Sequence, residues 1–221
     1  MTRGIFIAGN ESALFSALAA ETEKKVEQYA VSIIPNPIHL PERAGETKPG
    51  KGQIVISWNP GSPISSRTLI LAVENRLGQI NDALLVCSPP ALYRSAEALT
   101  PAEIEAQVNN QIKGWFYLAR ELALYFRNRE NGTLALVVPE TNAGGGDSSA
   151  DLLGAAAAAS FRSLASGLLS SAGSAPFHIL GFSSEPGREK DFAAWIYKTL
   201  DGASKKSSGK WHKFGKLNLF R

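Results

Sequence analysis

Few residues of this 221-residue chain are of a type and spacing that could do chemistry, and each has a plainer use. Cys87 is the single cysteine and His39, His178 and His212 are the only imidazoles, so neither a disulfide scaffold nor a cysteine-rich zinc site is available, and no metal site is expected. Cys87, at a strand end, could be a reactive thiol; a small buried apolar residue is the simpler reading. His178 sits in an apolar run and reads as a core or strand-end histidine. The stretch Gly144-Gly-Gly-Asp-Ser-Ser149 could cradle a phosphate or hold a substrate, or it could be a connection whose Ser148 and Asp151 cap the following helix. Ser148 or Ser149 as a hydrolase nucleophile lacks the Gly-x-Ser-x-Gly setting. Trp115, Phe116 and Tyr117 stand beside Leu118 at helical spacing, which is packing rather than a base-stacking platform.

The elements that must position these residues alternate. Apolar runs at Gly4–Ala8, Tyr29–Ile34, Gln53–Trp58, Ala83–Cys87, Leu134–Val138, Phe177–Phe182 and Lys216–Phe220 read as strands. Between them, helical spacing covers Ser12–Glu23, Ile64–Leu77, a long stretch from Thr100-Pro101 to about Arg127, an alanine-rich stretch from about 150 to 171, and Glu189–Leu200. Ser62 followed by Pro63 is an N-cap with proline at the first helical position. Wholly apolar strands such as Ala83–Cys87 belong in a sheet covered on both faces. The expected fold is a single α/β domain over residues 1–221, Rossmann-like and doubly wound, with about seven mostly parallel strands. The segment 35–52, rich in Pro, Gly and charge, is expected as an exposed loop, and 203–221 as a basic, solvated C-terminal segment.

Composition excludes other classes. With Lys+Arg 23 against Asp+Glu 20 the net charge is +3, which permits anionic partners without demanding them. No nucleic-acid-binding motif accompanies the basic C-terminal segment. No apolar run approaches the roughly 18 residues of a membrane span, and the apolar start is too short for a signal-peptide core, so a cytoplasmic protein with no membrane partner is expected.

At the motif level the chain resembles the short-chain dehydrogenase/reductase family from Ile5 to Phe220. The family's Thr-Gly-x-x-x-Gly-x-Gly turn is represented by Ala8-Gly9-Asn10-Glu11-Ser12-Ala13-Leu14-Phe15, which keeps one glycine of three. Leu77-Gly-Gln-Ile-Asn-Asp82 resembles the family's lead into Asn-Asn-Ala-Gly, itself replaced by Leu85-Val86-Cys87-Ser88 or, one residue on, by Val86 to Pro89. Asn59 stands where the family's adenine-contacting acid would be. Val108-Asn-Asn-Gln-Ile-Lys-Gly114 resembles the family's Val-Asn-x-x-Gly, with Gln111 at the catalytic asparagine if Gly114 is the anchor; Asn109 and Asn110 leave that open. Anchoring on Ser160-Phe-Arg-Ser-Leu-Ala165 puts Gly154 at the family's tyrosine and Ala158 at its lysine, and no Tyr or Lys lies between Glu130 and Arg188. At the family's serine only Thr141 offers a hydroxyl.

The resemblance implies NAD(P) as cofactor, held by Gly9, Asn10, Ser12, Asn59 and Ser88, with Thr141 and Gln111 as the remaining catalytic candidates. Without a tyrosine to protonate the carbonyl oxygen, a loss of roughly 10²–10⁴-fold in rate follows from the missing general acid alone. Phe15 is expected to crowd the helix–strand packing that the third glycine allows, Ala13 adds a methyl where the backbone should approach phosphate, and Glu11 repels a pyrophosphate. The expectation is therefore a divergent protein without standard oxidoreductase activity, binding or structural in role; the alternative is an NAD(P)-dependent oxidoreductase with atypical catalytic residues. The resemblance also implies a homo-oligomer, dimer or tetramer, through helices 101–127 and 150–171. Only about Ser183 to Lys190 separates the sixth strand from the last helix, where the resembled enzymes place a long substrate cover.

Overall fold

A computed structural model describes residues 3–35, 50–140, 151–185 and 187–215. Seven strands form one parallel sheet in the order β3-β2-β1-β4-β5-β6-β7. They are β1 Ile5–Gly9, β2 Tyr29–Ile33, β3 Gln53–Val55, β4 Asp82–Val86, β5 Thr133–Pro139, β6 His178–Ser184 and β7 Lys210–Phe214. The order reverses between β1 and β4, so the crevice at the carboxyl ends of those two strands is the switch point of a doubly wound sheet. This is the expected single Rossmann-like α/β sheet.

Burial explains why the central strands read as unbroken apolar runs. Every residue of β1 and β4 is buried, and alternate side chains feed two cores. Phe6, Ala8, Ala83, Leu85, Leu134 and Leu136 meet helices α2 (Pro63–Leu77), α4 (Gly114–Arg129) and α5 (Leu152–Ser171) on one face. Ile5, Ile7, Leu84, Val86, Ala135 and Val137 meet α1 (Ala13–Glu23) and α6 (Glu189–Asp201) on the other. Ser62 caps α2 by accepting from Ser65 N at 3.2 Å, with Pro63 in the first turn, as its sequence predicts.

Four expectations need correction. The last strand is Lys210–Phe214, not Lys216–Phe220, which lies outside the described residues. Trp211 packs against Gly181 and Leu169 on one face, while His212 stacks on Phe182 and Phe214 packs near Phe192 on the other, so an edge strand forms despite the intervening lysines. The start of the basic segment is therefore built into the sheet, and a solvated tail does not describe it. β3 ends at Val55, before Trp58, whose Nε1 donates to Ser66 Oγ at 3.1 Å under α2. The long helix from Pro101 is two helices, α3 (Pro101–Val108) and α4, joined by a π-helical turn at Asn109–Lys113. Finally, Leu152–Ser174 contains an 18-residue window of mean hydropathy 1.4 and is long and apolar enough to cross a membrane, because a run of alanines raises hydropathy without bulky side chains. In the fold, Ala157, Phe161, Ala165 and Leu169 of this helix pack on the sheet.

At the amino ends of the strands a charge network ties the layers. Arg3 reaches Asp82 at the start of β4 and Asp201 at the end of α6, both at 2.5 Å, and Lys25 after α1 holds the other Asp201 oxygen at 3.0 Å. Partial burial pushes the Asp201 carboxyl up, but hydrogen bonds and charge from Arg3 and Lys25 outweigh this and hold it below the ordinary 3.8. Its stabilisation is thus complete above that value and fades as pH falls through the lower folded-state value. Asp201→Asn should cost about 0.5–1 kcal/mol near pH 7, a modest figure because the side chain is 43% exposed, and the gap in Tm to the wild type should close below pH 3.8.

Candidate functional site

The candidate site is the crevice at the carboxyl ends of β1, β4 and β5. At its floor, Gly9 ends β1 with no room for a side chain: a Cβ there would stand 2.7 Å from Val86 O and 3.0 Å from Phe15 Cδ2. Phe15 is buried in the core and fills the space where the resembled turn has its third glycine. The turn is closed by Ser12, whose Oγ accepts from Phe15 N at 3.1 Å and so consumes one of the free N–H groups at the start of α1. Asn10 is buried and its Oδ1 has no hydrogen-bond partner among the described residues, and the exposed Glu11 carboxylate stands beside it. Both features oppose a pyrophosphate, which is itself all acceptors. Ser88, beyond β4, is half-buried, and Cys87 before it is buried with its thiol pushed far up by burial, an effect that the Arg162 charge only partly offsets. Cys87 is therefore an inert core residue.

Asn59 is also spoken for. Its Oδ1 accepts from Gly61 N at 3.1 Å, and its N–H donates to Ser65 Oγ at 2.9 Å, which makes it a turn-former before α2. Thr141 and the Gly144–Ser149 stretch lie outside the described residues. His178 is at the start of β6, at the opposite end of the sheet from this crevice.

The π turn is the hub of the crevice. Asn110 Nδ2 donates to Pro35 O at 3.3 Å, Asn109 lies against Gly61, and Gly114 leaves room for Pro60, which a Cβ would approach to 2.5 Å. π turns of this kind are common at functional positions. Gln111 lies within it, fully buried, with neither amide atom hydrogen-bonded among the described residues; Gln107 Nε2 and Trp115 Nε1 are likewise buried and unpaired there. Each such group costs about 1–3 kcal/mol when left unsatisfied. Gln111 is legible through its motif and Trp115 is buried, as its packing reading expects; Gln107 is not legible, because a polar residue amid a helix ordinarily reads as solvated.

Gly154 and Ala158, which the resemblance sets at the family's tyrosine and lysine, have structural surroundings. Asp151 caps α5: its Oδ1 accepts from Gly154 N at 3.0 Å and from Leu92 N at 3.0 Å, which fixes the segment after β4 to the helix start. This is the cap expected of Asp151. A Cβ on Gly154 would lie 2.7 Å from Asp151 Oδ1 and closer still to Oδ2, so a side chain there displaces the cap. Ala158, one turn on, is half-buried. Between β6 and α6 only residues 185–188 intervene, so the short connection expected over a substrate is confirmed. Gly154→Ala should lower stability by about 1–2 kcal/mol through loss of the cap. In an Asp151→Ala background the same change should be neutral or stabilising, since alanine outranks glycine in a helix by about 1 kcal/mol. Chemical denaturation of the four proteins measures this coupling.

No family model and no curated protein matches the chain. Solved structures do. A short-chain dehydrogenase from Mycobacterium smegmatis is 16% identical with a TM-score of 0.72, over 99% of this chain and 94% of that one. A doubly substituted short-chain dehydrogenase/reductase from Serratia marcescens is 11% identical with a TM-score of 0.72, over 96% and 95%. An NADH-dependent reductase, A1-R′, complexed with NAD, is 13% identical with a TM-score of 0.73, over 96% and 94%. The chain has the fold of the short-chain dehydrogenase/reductases along essentially its whole length.

Proposed function

We propose that this chain is a divergent protein of the short-chain dehydrogenase/reductase fold that has lost the standard oxidoreductase reaction and acts in the cytoplasm as a homo-oligomeric binding or structural protein. The observation that carries this is the Asp151–Gly154 cap: the place of the proton-donating tyrosine is taken by a glycine whose missing side chain the cap requires. Ala158 supplies no cation to lower a donor's pKa. The β1–α1 turn does not fit a dinucleotide either, since Ser12 has claimed a helix N–H, and Asn10 Oδ1 and Glu11 add acceptors to a turn that would need donors.

Two surfaces support the oligomer. The outer face of α5 is a smooth row of Ala155, Ala156, Ala159, Ser163, Ser166 and Gly167, all exposed. On α4, Phe116 and Leu124 stand two turns apart and are 48% and 41% exposed. A small-residue helix beside exposed apolar side chains suits a two-fold contact.

The second reading, an NAD(P)-dependent oxidoreductase with atypical catalytic residues, draws on Gln111, whose unpaired amide lies buried in the π turn, with Thr141 as its hydroxyl. Light scattering should give a dimer or tetramer, and NADH or NADPH oxidation with aldehydes and ketones should not exceed the uncatalysed rate. A concentration-independent monomer rejects the oligomer, and turnover that Gln111→Ala abolishes establishes the second reading.

A further inference from the structure

One buried face of the α3–α4 pair is polar. Gln107, Gln111 and Trp115 are 3%, 0% and 1% exposed, and four of their polar atoms lack partners among the described residues: Gln107 Nε2, Gln111 Nε2 and Oε1, and Trp115 Nε1. The π turn accounts for their alignment. In an unbroken α-helix residue 115 would lie about 80° round the axis from residue 107; absorbing one extra residue brings the offset back to about 20°. The three side chains thus form a ladder on one face, which packs against α5: the Trp115 and Phe161 rings meet edge to face at 4.9 Å.

We propose that this ladder is the floor of a binding site for the carboxylate of a small organic acid. Donors outnumber acceptors, three groups to one, and a carboxylate is acceptor-only. Gln107 is one helical turn from Gln111, so its Nε2 can serve Gln111 Oε1, which leaves Gln111 Nε2 and Trp115 Nε1 as the donors to the ligand. Charge comes from Arg162, the neighbour of Phe161 on α5. It acts on the Cys87 thiol at the end of β4, and among the described residues its Nη2 reaches only the Pro139 carbonyl, at 3.5 Å. No carboxylate among the described residues pairs with it. Through Cys87 and Pro139, Arg162 stands at the carboxyl ends of β4 and β5, where doubly wound sheets take their ligands, and its neighbour Phe161 joins it to the Trp115 end of the ladder. The site gives the binding role proposed above a ligand class, and it does not depend on whether hydride transfer has been lost.

Indole N–H signals of the ¹⁵N-labelled full chain, with Trp115 assigned through W115F, report directly on one rung. Titrations with acetate, butyrate and succinate in chloride buffer should move the Trp115 signal saturably for at least one of the three. Q111M should abolish the response, and R162Q should weaken it by at least about tenfold, with cooperative thermal melts showing that both variants are folded. If none of the acids moves the Trp115 signal, or if Q111M and R162Q respond as the wild type does, the proposal is overturned. The result of an NADPH titration leaves it intact unless NADPH moves the Trp115 signal where the carboxylates do not, which also overturns it.

Discussion

The carboxylate of Asp151 holds the carboxyl-terminal edge of this molecule together. One oxygen accepts from the first turn of α5 and from Leu92 in the segment after β4. In that same segment Arg94 bridges to the Asp151 backbone and pairs with Glu103 at 3.3 Å. Glu103 in turn completes the capping box of α3 with Thr100, whose N–H and hydroxyl it accepts at 2.9 and 2.8 Å. A single side chain therefore sets the start of α5, the course of the segment after β4 and, through it, the helix that leads into the π turn. This constraint decides what Gly154 can be, because the cap occupies the space into which any Cβ would project.

The residues that might have done chemistry have mostly become architecture. Ser12 and Asn59 spend their hydrogen bonds on turns, Cys87 is a core residue, and Phe15 packs in the core at the place of the resembled turn's third glycine. What is not spent is concentrated on one helix face, at Gln107, Gln111 and Trp115. Buried polar groups without partners are rare in folded proteins, and such a cluster at an interrupted helix marks the place where this chain departs from pure packing.

Much of the fold was legible because its central strands are buried on both faces, which leaves a run such as Ala83–Cys87 no other reading. The Ser62 and Asp151 caps were legible for an equally local reason: each is a capping side chain at the start of a helical pattern. The edge strand was not, because Leu217, Leu219 and Phe220 alternate more cleanly than Trp211-His-Lys-Phe214, and only neighbours distant in sequence, Gly181 and Phe192, reveal which segment packs. The π turn was hidden for a related reason. One extra residue in a helix scarcely disturbs an apolar pattern, and the residues the turn meets, Pro35, Pro60 and Gly61, belong to other elements.

Solved structures at 11–16% identity share this fold, and a pattern of burial this regular needs little identity to persist. The reaction site has no such tolerance, and the proposed loss of the reaction rests on the cap and the β1–α1 turn. The most direct measurement is a calorimetric titration of the purified protein with NADH and NADPH. No saturable heat for either is the predicted result, and micromolar binding of one of them would contradict the claim that this crevice has ceased to be a dinucleotide site.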